Sequence, residues 1–265
     1  MDLRADGSIL LISCYELGHQ PLGVALPVGF LERAGFSPDA MDIAVEEFDE
    51  QKITHAAFIG ISVPMHTALR LGVRVADRIR ELNPACHICF YGLYASLNSE
   101  YLLEHGADYC LGGEYEKPLV ALVESLDSGA SDEVKSAAGE KNEGTASEIE
   151  GVSRRGKMAL PVLEKLAFAT PNRSALPPLA EYAQLDQDGE CRTAGYVEAS
   201  RGCLHLCTHC PIPPVYGGRF FVLPQEVVLE DIRRQVKAGA THITFGDPDF
   251  LNGPNHSLRV VRAMH

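Results

Sequence analysis

Three cysteines with the spacing CxxxCxxC are the residues of this chain whose chemistry is best defined. Cys203, Cys207 and Cys210 lie in the segment Glu198-Ala-Ser-Arg-Gly-Cys-Leu-His-Leu-Cys-Thr-His-Cys210. Gaps of three and two residues let one short turn direct three thiolates at one centre, where they can hold three irons of a cubane [4Fe-4S] cluster. The fourth iron is then open to a ligand that is not protein. The spacing therefore predicts a metal site that does chemistry.

The cysteine loop follows a predicted strand at 194–199, and Gly202 allows a sharp turn just before the first cysteine. In spacing and position the loop resembles that of the radical S-adenosylmethionine (SAM) superfamily, which follows the first strand of a partial (β/α) barrel. The resemblance implies that the open iron binds SAM. It also implies that an electron from an external reductant, passed through the cluster, cleaves SAM to a 5′-deoxyadenosyl radical.

The same resemblance implies a second SAM-binding element on the next strand. Phe245-Gly-Asp247 stands in the place of the family's Gly-Gly-Glu motif, so Gly246 and Asp247 are the expected SAM contacts, with Asp249 as the neighbouring alternative. Gly246-Asp-Pro-Asp is also a plain turn sequence, because Asp and Pro favour turns by themselves. Both interpretations stay open at this point.

A different class of function is compatible with the same cysteines. His205 or His209 would complete a structural Cys3His zinc site, and the chain would then be a non-catalytic, ligand-binding Rossmann protein. Arg201 has two interpretations of equal standing: it stabilises the cluster or a SAM carboxylate, or it anchors the loop to a nearby acid. Cys86 and Cys89 form a further CxxC, which we interpret as buried packing between a helix and a strand.

Composition limits the partners and the compartment. The 265 residues are 46% hydrophobic, enough for two packed domains of roughly 100–200 residues each. A net charge of -13 disfavours nucleic acid, which is bound mainly through Lys and Arg, and leaves a small-molecule or peptide substrate. With no long apolar run, no signal-peptide pattern at the start and eight cysteines without a disulfide framework, we expect a cytoplasmic protein without membrane contact.

Alternating apolar strands and amphipathic helices predict an α/β fold. Residues 1–125 read as a doubly wound, Rossmann or flavodoxin-like parallel sheet. Residues 126–157 are rich in Gly, Ser, Glu and Lys and are predicted to be a flexible linker. A connecting segment at 158–193 precedes residues 194–265, which we interpret as the first β/α units of an incomplete radical SAM partial TIM barrel.

Ligands of doubly wound sheets bind beyond the carboxyl ends of the strands. The loops expected there contain the candidate ligand contacts Gly18, His19, Ser62, Gly92, Gly113 and Glu114. Together with the cysteine loop downstream, their order resembles radical SAM proteins that carry an amino-terminal cobalamin-binding domain, including the Gly-Glu-x-Glu ending of the last strand at 113–116. A degenerate domain that binds no corrinoid is the alternative, because the Asp-x-His-x-x-Gly signature is absent.

Four longer stretches narrow the resemblance. Tyr15-Glu-Leu-Gly-His-Gln-Pro-Leu-Gly23, Ser62-Val-Pro-Met-His-Thr67, Phe90-Tyr-Gly-Leu-Tyr-Ala95 and Thr244-Phe-Gly-Asp-Pro-Asp-Phe-Leu-Asn-Gly-Pro254 are similar to the radical SAM group named for a CUAEP or CCAEP tail. We expect the chain to be the front part of a longer protein of this kind. If cobalamin binds, the resemblance implies methyl transfer to an unactivated carbon or phosphorus; the substrate-contacting residues are not identifiable.

Overall fold

The computed structural model describes residues 2–129 and 149–264. Most of the predicted linker, residues 130–148, lies outside the described residues. Its two flanks belong to regular elements, because a helix continues to Asp127 and Val152–Arg154 forms a strand.

The amino-terminal half contains a six-stranded sheet with the order β2-β1-β3-β4-β5-β6. The first five strands pair in parallel, and β6 adds an antiparallel edge to β5. This is the flavodoxin-like order with one extra strand, which confirms the predicted doubly wound sheet. The strands are Ile9–Ser13, Asp39–Asp42, Phe58–Ser62, His87–Tyr91, Tyr109–Leu111 and Val152–Arg154.

Within the part of the chain that the structure describes, six helices cover the two faces of this sheet. They are α1 to α6, at Leu22–Arg33, Glu50–His55, His66–Leu82, Leu93–Leu97, Ser99–Glu104 and Glu116–Asp127. The run Ile9-Leu-Leu-Ile12 shows why both faces need cover: Leu10 and Ile12 belong to one buried cluster, and Ile9 and Leu11 belong to the other. Strands buried on both faces are apolar at every position instead of alternating.

The second strand is Asp39–Asp42, whereas the apolar residues of the sequence predict a strand at 42–46. β2 ends at Asp42, whose carboxylate accepts a hydrogen bond from the Ala44 amide at 3.1 Å, while the Glu46 carboxylate accepts one from the Asp42 amide at 2.6 Å. These local bonds form a turn, because short acidic side chains compete with strand pairing for the backbone donors.

The carboxyl-terminal half begins with an antiparallel hairpin of β7 (Gln184–Gln187) and β8 (Glu190–Val197). β8 also pairs in parallel with β11 (His242–Phe245). The connection passes through the two-stranded ribbon of β9 (Ser200–Gly202) and β10 (Phe220–Val222). The helices of this half are α7, α8 and α9, at Pro213–Tyr216, Gln225–Lys237 and Pro254–Met264.

A third buried cluster joins the two halves. Leu26 and Phe30 of α1 pack with Leu166 and Phe168 of the connecting segment and with Val197 of β8. The connecting segment is therefore core material and not only a tether. Within residues 2–129 and 149–264, the helices are all too short or too polar to span a lipid bilayer.

A buried ion pair anchors the connecting segment to α8. The Arg173 guanidinium donates to the Asp231 carboxylate, and the two side chains are 10% and 4% exposed. Arg173 also donates to the Tyr196 carbonyl of β8 at 3.0 Å. The pair therefore positions the first strand of the carboxyl-terminal sheet.

Asp231→Ala leaves this guanidinium buried without its carboxylate, so we expect the free energy of unfolding to fall by about 3–5 kcal/mol. Glu230→Ala on the same helix is the matched control, since its partners Arg233 and Arg234 lie in exposed pairs, which contribute little. Urea unfolding followed by circular dichroism measures both variants. Equal losses would contradict an anchoring role for the buried pair.

Candidate functional site

A cavity of 290 Å³ lies where the carboxyl ends of the amino-terminal strands face the first strands of the carboxyl-terminal half. Its volume is near the lower end of the range of roughly 300–1,000 Å³ for small-molecule sites. Both halves of the chain contribute lining residues. They include Glu16, Ser62, Met65, Gly92, Leu93, Gly113 and Tyr115 from one half, and Tyr196, Glu198, Arg201, Gly202, Tyr216 and Gly246 from the other.

Glu16 organises the cavity wall formed by the first strand and helix. Its buried carboxylate accepts hydrogen bonds from the amides of Leu22, at 2.9 Å, and Gly23, at 3.2 Å. These are the opening amides of α1, where Pro21 supplies no side-chain cap. Burial raises the pKa of Glu16 to about 7, although the two amides act in the opposite direction. The site therefore contains a carboxyl group that titrates near neutrality.

Glycines shape the edge of the sheet that faces this cavity. Gly92 has a φ of +112°, and a Cβ there would lie 3.2 Å from the Val63 carbonyl oxygen. A Cβ on Gly23 would lie 2.3 Å from the Ser62 hydroxyl. Neither position has room for a Cβ, so these glycines allow the loops and strand ends at the cavity edge to pack closely.

Arg201 lies at the centre of a buried cluster of charges. Its guanidinium donates to Glu116 at 2.6 and 2.9 Å, to Glu198 at 2.8 Å and to Glu114 at 3.3 Å. The Tyr216 hydroxyl donates to the other oxygen of Glu114 at 3.0 Å. The Arg201 side chain is 7% exposed, and both Glu114 and Glu116 are fully buried. Arg201 therefore anchors the cysteine loop to acids, which is one of the two interpretations left open by the sequence.

The charges in this cluster perturb one another strongly. Burial alone would lower the pKa of Arg201, but Glu116, Glu198 and Glu114 hold it well above its ordinary value, so the guanidinium stays charged. Burial raises the pKa of Glu198 and that of Glu114, while Arg201 lowers both. Raised carboxyl pKa values reduce the excess of negative charge around a single guanidinium.

His19 and Tyr196 form a second contact between the two halves. Their rings stack with centroids 4.3 Å apart and planes inclined by 5°. Nδ1 of His19 is buried without a hydrogen-bond partner among the described residues, and burial lowers the pKa of the ring. Beyond this stack, the Tyr196 hydroxyl lies against Gly246, where a Cβ would be only 2.1 Å away. Tyr196 thus connects the predicted cobalamin-side histidine with the predicted SAM-side glycine.

The predicted cobalamin contacts fall into three groups. Ser62, Gly92 and Gly113 line the cavity. Gly18 and His19 lie outside the lining, because the Gly18 carbonyl accepts from the Ala183 amide at 2.8 Å and His19 packs on Tyr196. Glu114 lies in the Arg201 cluster. The glycine-lined edge suits close approach of a flat ligand, whereas Glu114 has a structural partner.

The predicted SAM residues also differ in whether they line the cavity. Gly246 lines the cavity. Asp247 accepts hydrogen bonds from the Ala199 amide at 3.0 Å and from the Ser200 hydroxyl, so both of its oxygens hold β11 to the segment before the cysteine loop. Asp249 accepts from the Leu251 amide and lies 3.3 Å from Nε2 of His205.

The cysteine loop contains three thiols that could bind a metal, but the structure does not bring them together as one ligand group. Cys203, Cys207 and Cys210 are all free thiols; Cys203 is buried, Cys207 is exposed and Cys210 is half-buried. Among the residues that the structure describes, no three His, Cys, Asp or Glu side chains form a group that could hold a metal ion. Three free thiols on one short loop nevertheless match the donor chemistry of an iron-sulfur cluster.

Sequence reasoning missed Glu16, Glu198 and Tyr196 as site residues. Tyr196 in β8 and Glu198 directly after it flank the core residue Val197, and this spacing of two places both on the cavity side. Alternation was therefore a usable signal for these two. For Glu16, the signal was a carboxylate a few residues before the uncapped start Pro21-Leu-Gly.

Sequence similarity relates this chain to known proteins. Residues 9–123 match the family model of the B12 binding domain. The chain is 27% identical over 229 residues to the hopanoid C-3 methylase of Methylococcus capsulatus, which covers 83% of this chain and 41% of the methylase. That the chain is closest to the group with the CUAEP or CCAEP tail stays a prediction.

Two solved structures of the radical SAM methyltransferase TsrM from Kitasatospora setae share the fold. One, with tryptophan substrate and the SAM analogue aza-SAM bound, matches with a TM-score of 0.67 at 19% identity over 97% of this chain. The other, with cobalamin and a [4Fe-4S] cluster bound, matches with a TM-score of 0.68 at 18% identity over 96%. The chain spans 50% of each TsrM chain and less than half of the methylase. The predicted fold, a Rossmann-like sheet followed by partial radical SAM units, is confirmed.

The raised pKa of Glu16 predicts a pH-dependent stability. Because its pKa is about 7 in the folded chain and 4.5 ordinarily, the folded state binds more protons between these values. This stability contribution is complete below pH 4.5 and is lost as the pH rises through 7. Glu16→Gln keeps an acceptor for the α1 amides and removes the titration, so relative to this variant the wild type should lose about 3 kcal/mol across that range.

Urea unfolding at a series of pH values measures the difference between the wild type and Glu16→Gln. The control is Glu47→Gln, whose side chain is exposed and which should follow the wild-type curve. A constant difference between the wild type and Glu16→Gln at every pH would show that folding does not shift the pKa of Glu16.

Proposed function

We propose that this chain works as part of a cobalamin-dependent radical SAM methyltransferase, in which the cysteine loop holds a [4Fe-4S] cluster and the glycine-lined sheet edge holds cobalamin. The observation that carries the proposal is the buried Arg201 cluster. Arg201 lies two residues before Cys203 and is paired with Glu114 and Glu116, which directly follow the last parallel strand of the B12-type sheet. The start of the cysteine loop and the end of the parallel sheet are therefore held side by side, next to the cavity that Arg201 and Gly113 line.

The identities of similar proteins support this function. A match to the B12 binding domain covers the amino-terminal half, the similar curated protein is a methylase, and the similar structures are of a radical SAM methyltransferase. The zinc-binding sensor considered from the sequence has no observation in its favour: His205 is paired with Asp249 and His209 is exposed.

The cysteine loop would hold the cluster through Cys203, Cys207 and Cys210. When bound there, the cluster supplies the electron that cleaves SAM. The chain positions the loop: the Cys203 amide donates to the carbonyl of Arg219 at 3.1 Å, the residue directly before the ribbon strand β10. Gly246 lines the cavity in which SAM would bind, and Asp247 holds the strand end that carries it.

The sheet edge would hold cobalamin against Ser62, Gly92 and Gly113. When bound there, cobalamin supplies the methyl group that is transferred. Met65 and Leu93 add apolar surface on the same side. The aromatic residues Tyr115, Tyr196 and Tyr216 line the same cavity and favour a small-molecule substrate.

Iron and sulfide analysis tests the cluster. After anaerobic reconstitution, we expect about four irons and four sulfides per chain, with visible absorbance that bleaches on reduction by dithionite. Cys207→Ala should lose most of the iron. Cys191→Ala is the matched control, since Cys191 is an exposed free thiol outside the loop, and it should retain the full content. Stoichiometric zinc without sulfide would instead support the binding-protein alternative.

Retention of hydroxocobalamin through gel filtration tests the second site. Gly92→Ala adds a Cβ at the cavity edge and should weaken binding at least about tenfold, or about 1.4 kcal/mol. Gly106→Ala is the control, because Gly106 also has a positive φ but its Cβ would meet no atom within 4 Å. Leu93→Trp fills the cavity without changing the backbone and should weaken binding in the same direction. A wild-type chain that retains no hydroxocobalamin would contradict the proposal.

A further inference from the structure

Asn252 belongs to a sequence stretch for which the proposed function has no role so far. It ends the 3-10 turn Phe250–Asn252, which follows β11 in the segment Asp-Pro-Asp-Phe-Leu-Asn-Gly-Pro254. The turn lies beside the start of the cysteine loop, since Asn252 contacts Leu204, which is 48 residues earlier in the chain. The Asn252 side chain is half-buried.

The Asn252 amide makes two contacts with the loop. Its Oδ1 accepts a hydrogen bond from the Leu204 backbone amide at 3.0 Å, and its Nδ2 lies 3.4 Å from Sγ of Cys203. The Leu204 contact fixes the orientation of the amide, because only the oxygen can accept from a backbone N–H. The NH₂ group must then face the Cys203 sulfur.

The turn that carries Asn252 is itself held in place. The Asp249 carboxylate accepts from the Leu251 amide at 3.0 Å, and Nδ2 of Asn252 also donates to the Asp249 carbonyl at 3.4 Å. From the following helix, the Ser257 hydroxyl donates to the carbonyls of Phe250 and Gly253. These hydrogen bonds hold the backbone that carries Asn252. The position of its side-chain amide beside the sulfur is therefore fixed.

We propose that Asn252 is a positioning residue that raises the reduction potential of the cluster through a hydrogen bond from its amide to Cys203. The inference rests on the proposed function, since it requires a cluster at the cysteine loop. One-electron reduction adds negative charge that is shared between the irons and their sulfur ligands. A donor directed at a ligand sulfur stabilises the reduced form more than the oxidised form, and hydrogen bonds to the sulfurs are one of the determinants of cluster potential.

An anaerobic redox titration of the reconstituted chain with dithionite and mediators tests the proposal. Asn252→Ala removes the donor, and Asn252→Asp keeps an acceptor for the Leu204 amide while removing the donor. In both variants we expect the ratio of reduced to oxidised cluster at a given potential to fall about tenfold, which for one electron is about 59 mV toward more negative values. Electron paramagnetic resonance of the reduced form provides the readout.

Ser257→Ala is the matched control, because it loosens the same turn without touching the cysteine. It should keep the wild-type potential. A shift in Ser257→Ala equal to that in Asn252→Ala would assign the effect to loop mobility and overturn the inference, as would wild-type potentials in both Asn252 variants.

The failure of the inference and that of the proposed function are distinguishable. A wild-type chain that assembles no cluster overturns both. A wild-type chain that assembles the cluster while both Asn252 variants remain empty would make Asn252 an assembly residue, and would overturn its role in setting the potential.

Discussion

The buried guanidinium of Arg201 is the constraint on which the rest of the structure depends. A charge that is 7% exposed is costly unless carboxylates surround it, and here two of the three come from residues 85 and 87 positions earlier. The ribbon that carries the cysteine loop therefore has one favourable position against the start of α6. Because removing either side would leave buried charge unpaired, the contact between the two halves is specified by charge as well as by apolar packing.

Around this cluster, each further contact aligns the two halves at the same edge. The stack of His19 on Tyr196 fixes β8 against the first loop of the sheet, and Arg173 holds the Tyr196 carbonyl from the other side. Asp247 then joins the end of β11 to Ala199 and Ser200. A strand fixed in this way leaves little freedom for the side chains that alternate along it, as the proposed function requires of a site that would hold two cofactors relative to each other.

The sequence predicted local features well and distant partners poorly. The apolar runs located four of the five parallel strands, all except β2, since strands buried on both faces are recognisable without any partner. The β7–β8 hairpin was missed within the connecting segment, although Asp188-Gly189 is a strong turn signal and both residues have a positive φ. Glu114 was assigned to cobalamin because its motif follows a strand end. Its actual partner, Arg201, is 87 residues away, and no local pattern specifies a contact of that separation.

The electrostatics of the cavity follow from the same packing. Glu16 and Glu198 both line it, and burial raises the pKa of each. A carboxyl group whose ionised form is disfavoured by burial gains most from a nearby positive charge. SAM carries such a charge on its sulfonium, so a bound sulfonium at this edge would return both groups toward their ionised forms, whereas a neutral or anionic ligand would not. The cavity thus has an electrostatic preference that comes from two acids buried by the packing of the two halves.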